Sequence, residues 1–141
     1  MIRARAALVV FLLVATGCSG DEPGTGRPAL GAAPGPVQLH PSGDVGPGAT
    51  LIVDVRSTRS SHGGACITLD EWDDGWTTRW VWGHGDSTAR PVEGEEVSCD
   101  AIGLPFPIAF PMDVPVDLEA GTWRLSHLGS TGSGLVFEVP R

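Results

Sequence analysis

Residues 66–82 read Cys66-Ile-Thr-Leu-Asp-Glu-Trp-Asp-Asp-Gly-Trp-Thr-Thr-Arg-Trp-Val-Trp82, and they hold four of the chain's five tryptophans. Asp73-Asp74-Gly75 lies between Trp72 and Trp76, with strand-forming residues on either side. That arrangement predicts a β-hairpin with a three-residue loop, in which a type I turn is followed by a left-handed residue, and glycine takes that conformation without steric cost. Uninterrupted pairing then sets Trp72 opposite Trp76, Asp70 opposite Thr78, Thr68 opposite Trp80 and Cys66 opposite Trp82. Because strand side chains alternate between faces, one face would carry Cys66, Thr68, Asp70, Trp72, Trp76, Thr78, Trp80 and Trp82. The other would carry Ile67, Leu69, Glu71, Thr77, Arg79 and Val81.

Both faces are chemically mixed, so the pattern leaves two arrangements open. If Ile67, Leu69 and Val81 face the core, then Trp72, Trp76, Trp80 and Trp82 form an exposed aromatic platform beside Asp70, a surface suited to stacking on sugars or apolar partners. If the tryptophan face is buried, it is core, packed on a disulfide or covered by the loop that follows. Large aromatic side chains serve both purposes.

Outward from the hairpin, the remaining chain reads as β structure. No window sustains a 3.6-residue apolar repeat, and turn signals recur every eight to twelve residues, the spacing of a β-sandwich. Val37 to His40 is a short first strand. In Ala49 to Arg56, Leu51, Val53 and Val55 alternate with Thr50, Ile52, Asp54 and Arg56, as a half-buried strand should. Residues 57–64 are expected to form a polar loop and residues 83–95 a long connection. Glu96 to Cys99 is expected to be a strand, Ile102 to Pro111 an edge segment or packed loop because of its prolines, and Met112 to Leu118 a strand interrupted by Pro115. Thr122 to Leu128 should set Trp123, Leu125 and His127 on one face, with Trp123 the buried tryptophan of the domain. Residues 129–134 form a hairpin loop, and Leu135, Phe137 and Val139 face inward in the last strand.

The beginning of the chain carries an address. A basic start with Arg3 and Arg5 precedes an apolar run from Ala6 to Val14, too short for an ordinary membrane span. The run ends in Ala15-Thr16-Gly17-Cys18, which resembles the lipobox of bacterial lipoproteins, with Ala15 where leucine is commonest. The resemblance implies removal of residues 1–17, lipidation of Cys18 and a protein held on the outer side of the cytoplasmic membrane, in the cell wall or periplasm. Two acyl chains on one cysteine give stable anchoring where one would not. With Cys18 lipidated, Cys66 and Cys99 remain as a pair in an oxidising compartment, where a disulfide is the default. Residues 18–36, rich in Gly, Pro and Ala, are expected to be a disordered tether leading to one folded domain over residues 37–141.

The second resemblance rests on three short stretches. Leu118-Glu119-Ala120-Gly121-Thr122-Trp123-Arg124-Leu125 resembles the penultimate-strand entry of bacterial immunoglobulin-like domains. Residues 67–76, ITLDEWDDGW, are similar to the hairpin that precedes it, and Gly48 to Arg56 to the entry of their second strand. The resemblance implies a sandwich of about seven strands, used mostly for binding or spacing. Trp123 stands where these domains have tyrosine, so a tyrosine-corner bond from a phenol is impossible there, and an indole N–H can only donate.

Composition narrows the function. The chain has 20 Gly, 12 Pro and no Tyr, and its formal net charge of −8 becomes −10 once Arg3 and Arg5 leave with the signal. Such a charge argues against nucleic-acid partners. No nucleophile elbow, zinc-protease or phosphate-loop motif is present, so the expectation is a non-enzyme without a cofactor. His40, His62, His84 and His127 lack ligand spacing, although in space they could meet, with Met112 as a soft ligand. Asp70, Glu71, Asp73 and Asp74 are oxygen donors without calcium-loop spacing. The sequence therefore points to a lipid-anchored immunoglobulin-like module that binds a cell-envelope glycan or protein. An accessory subunit of an envelope complex and a metal-handling lipoprotein are the alternatives.

Overall fold

The computed structural model describes residues 26–64, 66–94, 96–99, 103–128 and 134–141. Its strands in chain order are β1 (Gly31–Ala33), β2 (Val37–Pro41), β3 (Thr50–Ser57), β4 (His62–Gly64), β5 (Ile67–Trp72), β6 (Trp76–Trp82), β7 (Arg90–Pro91), β8 (Gly103–Pro105), β9 (Ile108–Asp113), β10 (Gly121–His127) and β11 (Gly134–Val139). Seven of these have five residues or more, namely β2, β3, β5, β6, β9, β10 and β11. They build the two layers. The expected signal peptide, Cys18 and the first part of the expected tether lie outside the described residues, as does most of the expected 129–134 loop.

The alternation in β3 does what its sequence asks. Leu51, Val53 and Val55 are buried while Thr50, Ile52 and Arg56 are exposed, the pattern of a strand with one face on the core. β9 repeats it with Ile108, Phe110 and Met112 inward. Together with Val37 and Leu39 of β2 these side chains form one half of the core. The other half is the inner face of the wider layer: Ile67 and Leu69 from β5, Trp82 from β6, Trp123 and Leu125 from β10, and Val139 from β11.

The layers are a six-stranded sheet of order β1-β11-β10-β5-β6-β7 and a three-stranded sheet of order β2-β3-β9, with β4 and β8 pairing separately. All strand pairs are antiparallel. In immunoglobulin nomenclature, β11-β10-β5-β6 is the G-F-C-C′ order and β2-β3-β9 the A-B-E order. The protein is an all-β, immunoglobulin-like sandwich.

β9 is an edge strand, and its proline explains how the edge is closed. The Asp113 N–H donates to the Ser87 carbonyl at 2.7 Å, on the side away from β3. Backbone groups alternate direction along a strand, so Pro111, two residues earlier, directs its donor-less nitrogen to the same open side. A proline there removes a docking point for another strand without breaking the pairing to β3.

Several boundaries differ from the sequence reading. Residues expected to end a tether at 36 belong to the fold: β1 pairs with β11, and Arg27 donates to Thr122 Oγ1 at 3.1 Å and forms an ion pair with Glu138. Gly/Pro-rich composition hides this strand because its hydrogen bonds are made by backbone, which composition does not report. Glu96 to Cys99 is not a strand, and Met112 to Leu118 leaves the sheet after Asp113. The 57–64 loop contains β4, and the 83–95 connection contains β7.

Cys66 and Cys99 are joined, with Cα atoms 6.3 Å apart. The bond ties the entrance of β5 to the connection after β7. It does not cross between the sheets, as the bridge of antibody domains does. Closing a loop of this sequence separation (33) contributes about 3–4 kcal/mol in the chain-entropy model. Trp123 is buried as expected, 4% exposed, but Trp82 is fully buried as well. The Trp123 indole N–H donates to the Glu119 carbonyl at 2.9 Å. The tyrosine corner makes a bond of this kind, back to backbone a few residues upstream, with its phenol.

Candidate functional site

The hairpin of β5 and β6 decides what this surface can bind, and its register changes part-way along. Trp72 pairs with Trp76, Glu71 with Thr77 and Asp70 with Thr78, but Leu69 then pairs with Trp80, Thr68 with Val81 and Ile67 with Trp82. The register shift falls between Leu69 and Asp70, so Arg79 is an extra residue in β6, a β-bulge. One inserted residue reverses the facing of everything beyond it. The expected pairs Thr68–Trp80 and Cys66–Trp82 therefore do not form, and the four tryptophans do not share a face. The loop differs too: the left-handed residue is Asp74, with φ 53°, which a short Asp side chain tolerates.

Beyond the bulge, Trp80 and Trp82 join Ile67 and Leu69 on the core side. Trp82 is 0% exposed, and its indole N–H donates to the Ser87 carbonyl at 3.2 Å, so the 83–89 connection closes over it. Trp80 packs against the core but is only half-buried. Before the bulge, Trp72 and Trp76 lie on the outer face, in an edge-to-face pair with ring centroids 5.1 Å apart. A continuous platform of Trp72, Trp76, Trp80 and Trp82 does not exist.

Asp70 is not a ligand-facing acid either. It is 2% exposed, and its oxygens are used internally. Oδ1 accepts from Thr78 Oγ1 at 2.8 Å, and Oδ2 accepts from Arg124 Nε at 2.9 Å and Nη2 at 2.6 Å. Arg124 reaches it because Asp70 and Arg124 are register partners in β5 and β10. The same guanidinium lies 4.3 Å from the Trp76 ring centroid. Carboxylate, guanidinium and indole thus close into one unit on the outer face, where each charge has a partner, as burial requires.

The inner side of the bulge is open. A cleft of about 420 Å³ is lined by Glu71, Arg79, Trp80, Asp117, Glu119 and the buried pair Leu118 and Trp123. β5 and β6 supply Glu71, Arg79 and Trp80, while residues 117–119, leading into β10, form the opposite wall. The bulge brings the neighbours Arg79 and Trp80 to the same cleft, which strict alternation would forbid. Arg79 Nε donates to Glu71 Oε2 at 2.8 Å, tying the two hairpin strands across the wall. Of the expected site residues, only Trp80 lines this cleft. Arg79, Asp117 and Glu119 carry the site without having been expected in it, and Glu71 had been considered only as an oxygen donor for a cation.

The remaining polar candidates are dispersed. His127 is buried, with Nε2 2.6 Å from the Gly64 carbonyl, and His62 Nδ1 lies 3.0 Å from Ser61 Oγ. Among the described residues no group of three His, Cys, Asp or Glu side chains is placed to hold a metal ion. No family model, curated protein or solved structure matches the chain.

Proposed function

We propose that the chain is a lipid-anchored lipoprotein on the outer side of the cytoplasmic membrane, whose immunoglobulin-like domain is a non-catalytic binding module for a cell-envelope component. The observation that carries the binding part is the open cleft beside the bulge, where half-buried Trp80 is walled by charged side chains on two different segments. Pockets with an aromatic surface and a few fixed polar groups are the usual form of a binding site. The anchoring part is supported by the lipobox-like Ala15-Thr16-Gly17-Cys18 after a basic and apolar leader.

Both parts are testable in cells. Cys18→Ser should shift the protein from the membrane fraction or leave it unprocessed, and unchanged detergent-phase partitioning contradicts the anchor. A photo-crosslinking residue placed at Glu119 should capture a discrete envelope partner. A probe at Asp54, on the outer face of the narrower layer, serves as the control. Equal, diffuse labelling from both positions contradicts the binding module.

A further inference from the structure

The cleft beside the bulge lacks one component that the outer face of the same hairpin possesses. On the outer face a carboxylate (Asp70), an indole (Trp76) and a guanidinium (Arg124) form a closed set, with the guanidinium 4.3 Å from the ring centroid and 2.6 Å from the carboxylate. On the inner side, Trp80 is the indole, and Asp117 and Glu119 are exposed carboxylates with no ion pair among the described residues. Among the described residues that line the cleft the only cation is Arg79, which is held by Glu71 at 2.8 Å. That pair neutralises itself, so the cleft keeps two carboxylates in excess around an aromatic wall.

We propose that this cleft takes a cationic side chain, an arginine guanidinium presented on a segment of a partner protein. The proposal rests on the binding-module reading above and adds the ligand's chemical class. A guanidinium can set its planar face on the indole while donating in its own plane to carboxylates. An anionic ligand meets the excess negative charge of the wall and of the chain as a whole, whose formal net charge is −8. A neutral sugar could stack on Trp80 but would leave the charge of Asp117 and Glu119 without a counterpart. The proposal is thus fixed by charge complementarity, with the Asp70–Arg124–Trp76 set as its intramolecular counterpart.

The test uses the full mature protein in detergent micelles, labelled with ¹⁵N so that the five tryptophan indoles report separately by NMR, with Trp80 assigned through Trp80→Phe. The probes are a blocked Gly-Arg-Gly peptide, the same peptide with neutral citrulline in place of arginine, and an N-acetylglucosamine oligomer. The arginine peptide should move the Trp80 indole resonance saturably and less at high salt, while citrulline leaves it in place. The double variant Asp117→Asn with Glu119→Gln should weaken that binding about fivefold. Both sites are exposed, and unshifted Trp82 and Trp123 resonances will show that the fold is kept. Equal responses to arginine and citrulline, or undiminished binding by the double variant, overturn the proposal. A Trp80 response to the saccharide alone overturns the cationic ligand but keeps the binding module. A Trp80 resonance that no probe moves overturns the cleft as the arginine site, and the crosslinking from Glu119 then judges the module separately.

Discussion

The outer tryptophans, Trp72 and Trp76, and the inner ones, Trp80 and Trp82, lie within eleven residues of one hairpin and do different work. The inner pair belongs to the hydrophobic core, Trp82 wholly and Trp80 in part. The outer pair sits near the turn, on the same face as the buried Asp70–Arg124 ion pair, with Trp76 against the guanidinium. No difference in composition separates them. The difference is Arg79, one residue more than strict pairing allows. Bulges are commonly placed where a strand must re-aim a side chain, and here the re-aimed residues are those that complete the core and open the cleft.

The largest expected effect comes from the inner pair. Trp82→Ala should destabilise the domain by about 3–5 kcal/mol, the usual cost of truncating a fully buried aromatic, and thermal or denaturant unfolding will measure it. Asp70→Ala should come next. It strips Arg124 of its carboxylate on a largely buried surface, and removing one partner of a buried pair costs about 3 kcal/mol or more. An Asp70→Ala protein as stable as the parent would mean that the outer face is hydrated and that the charge pair does not hold it. Trp76→Ala should be the mildest, at about 1–2 kcal/mol, for the loss of one edge-to-face contact and one cation–π contact at a partly exposed site. If Trp76→Ala and Trp82→Ala cost the same, the two pairs are not in different environments and the comparison collapses.

Much of the fold could be read in the sequence because it depends on alternation and turns. The Trp72–Trp76 closure, the inward row Leu51, Val53 and Val55, and the shared face of Trp123, Leu125 and His127 all follow from a period of two. The Cys66–Cys99 bond followed from counting cysteines. The candidate site was less legible, because its geometry depends on a break in that same period. Arg79 is an ordinary strand residue by composition, and nothing in Thr77-Thr78-Arg79-Trp80 marks it as extra. The one available signal was that uniform pairing left both faces mixed. Inserting a residue at Arg79 sorts Ile67, Leu69, Trp80 and Trp82 onto one side and resolves the mixture. Arg124 and the 117–119 wall were hidden for another reason: they reach the hairpin only through the sheet order, which places β10 beside β5.

The register of the hairpin beyond the bulge is the point on which everything above depends, and cross-strand NOEs between β5 and β6 measure it directly. The structure predicts NOEs that pair Leu69 with Trp80 and Ile67 with Trp82, alongside Asp70 with Thr78. NOEs pairing Thr68 with Trp80 and Cys66 with Trp82 would mean that Arg79 is not bulged. All four tryptophans would then share one face, and both the divided hairpin and the cleft built on it would be wrong.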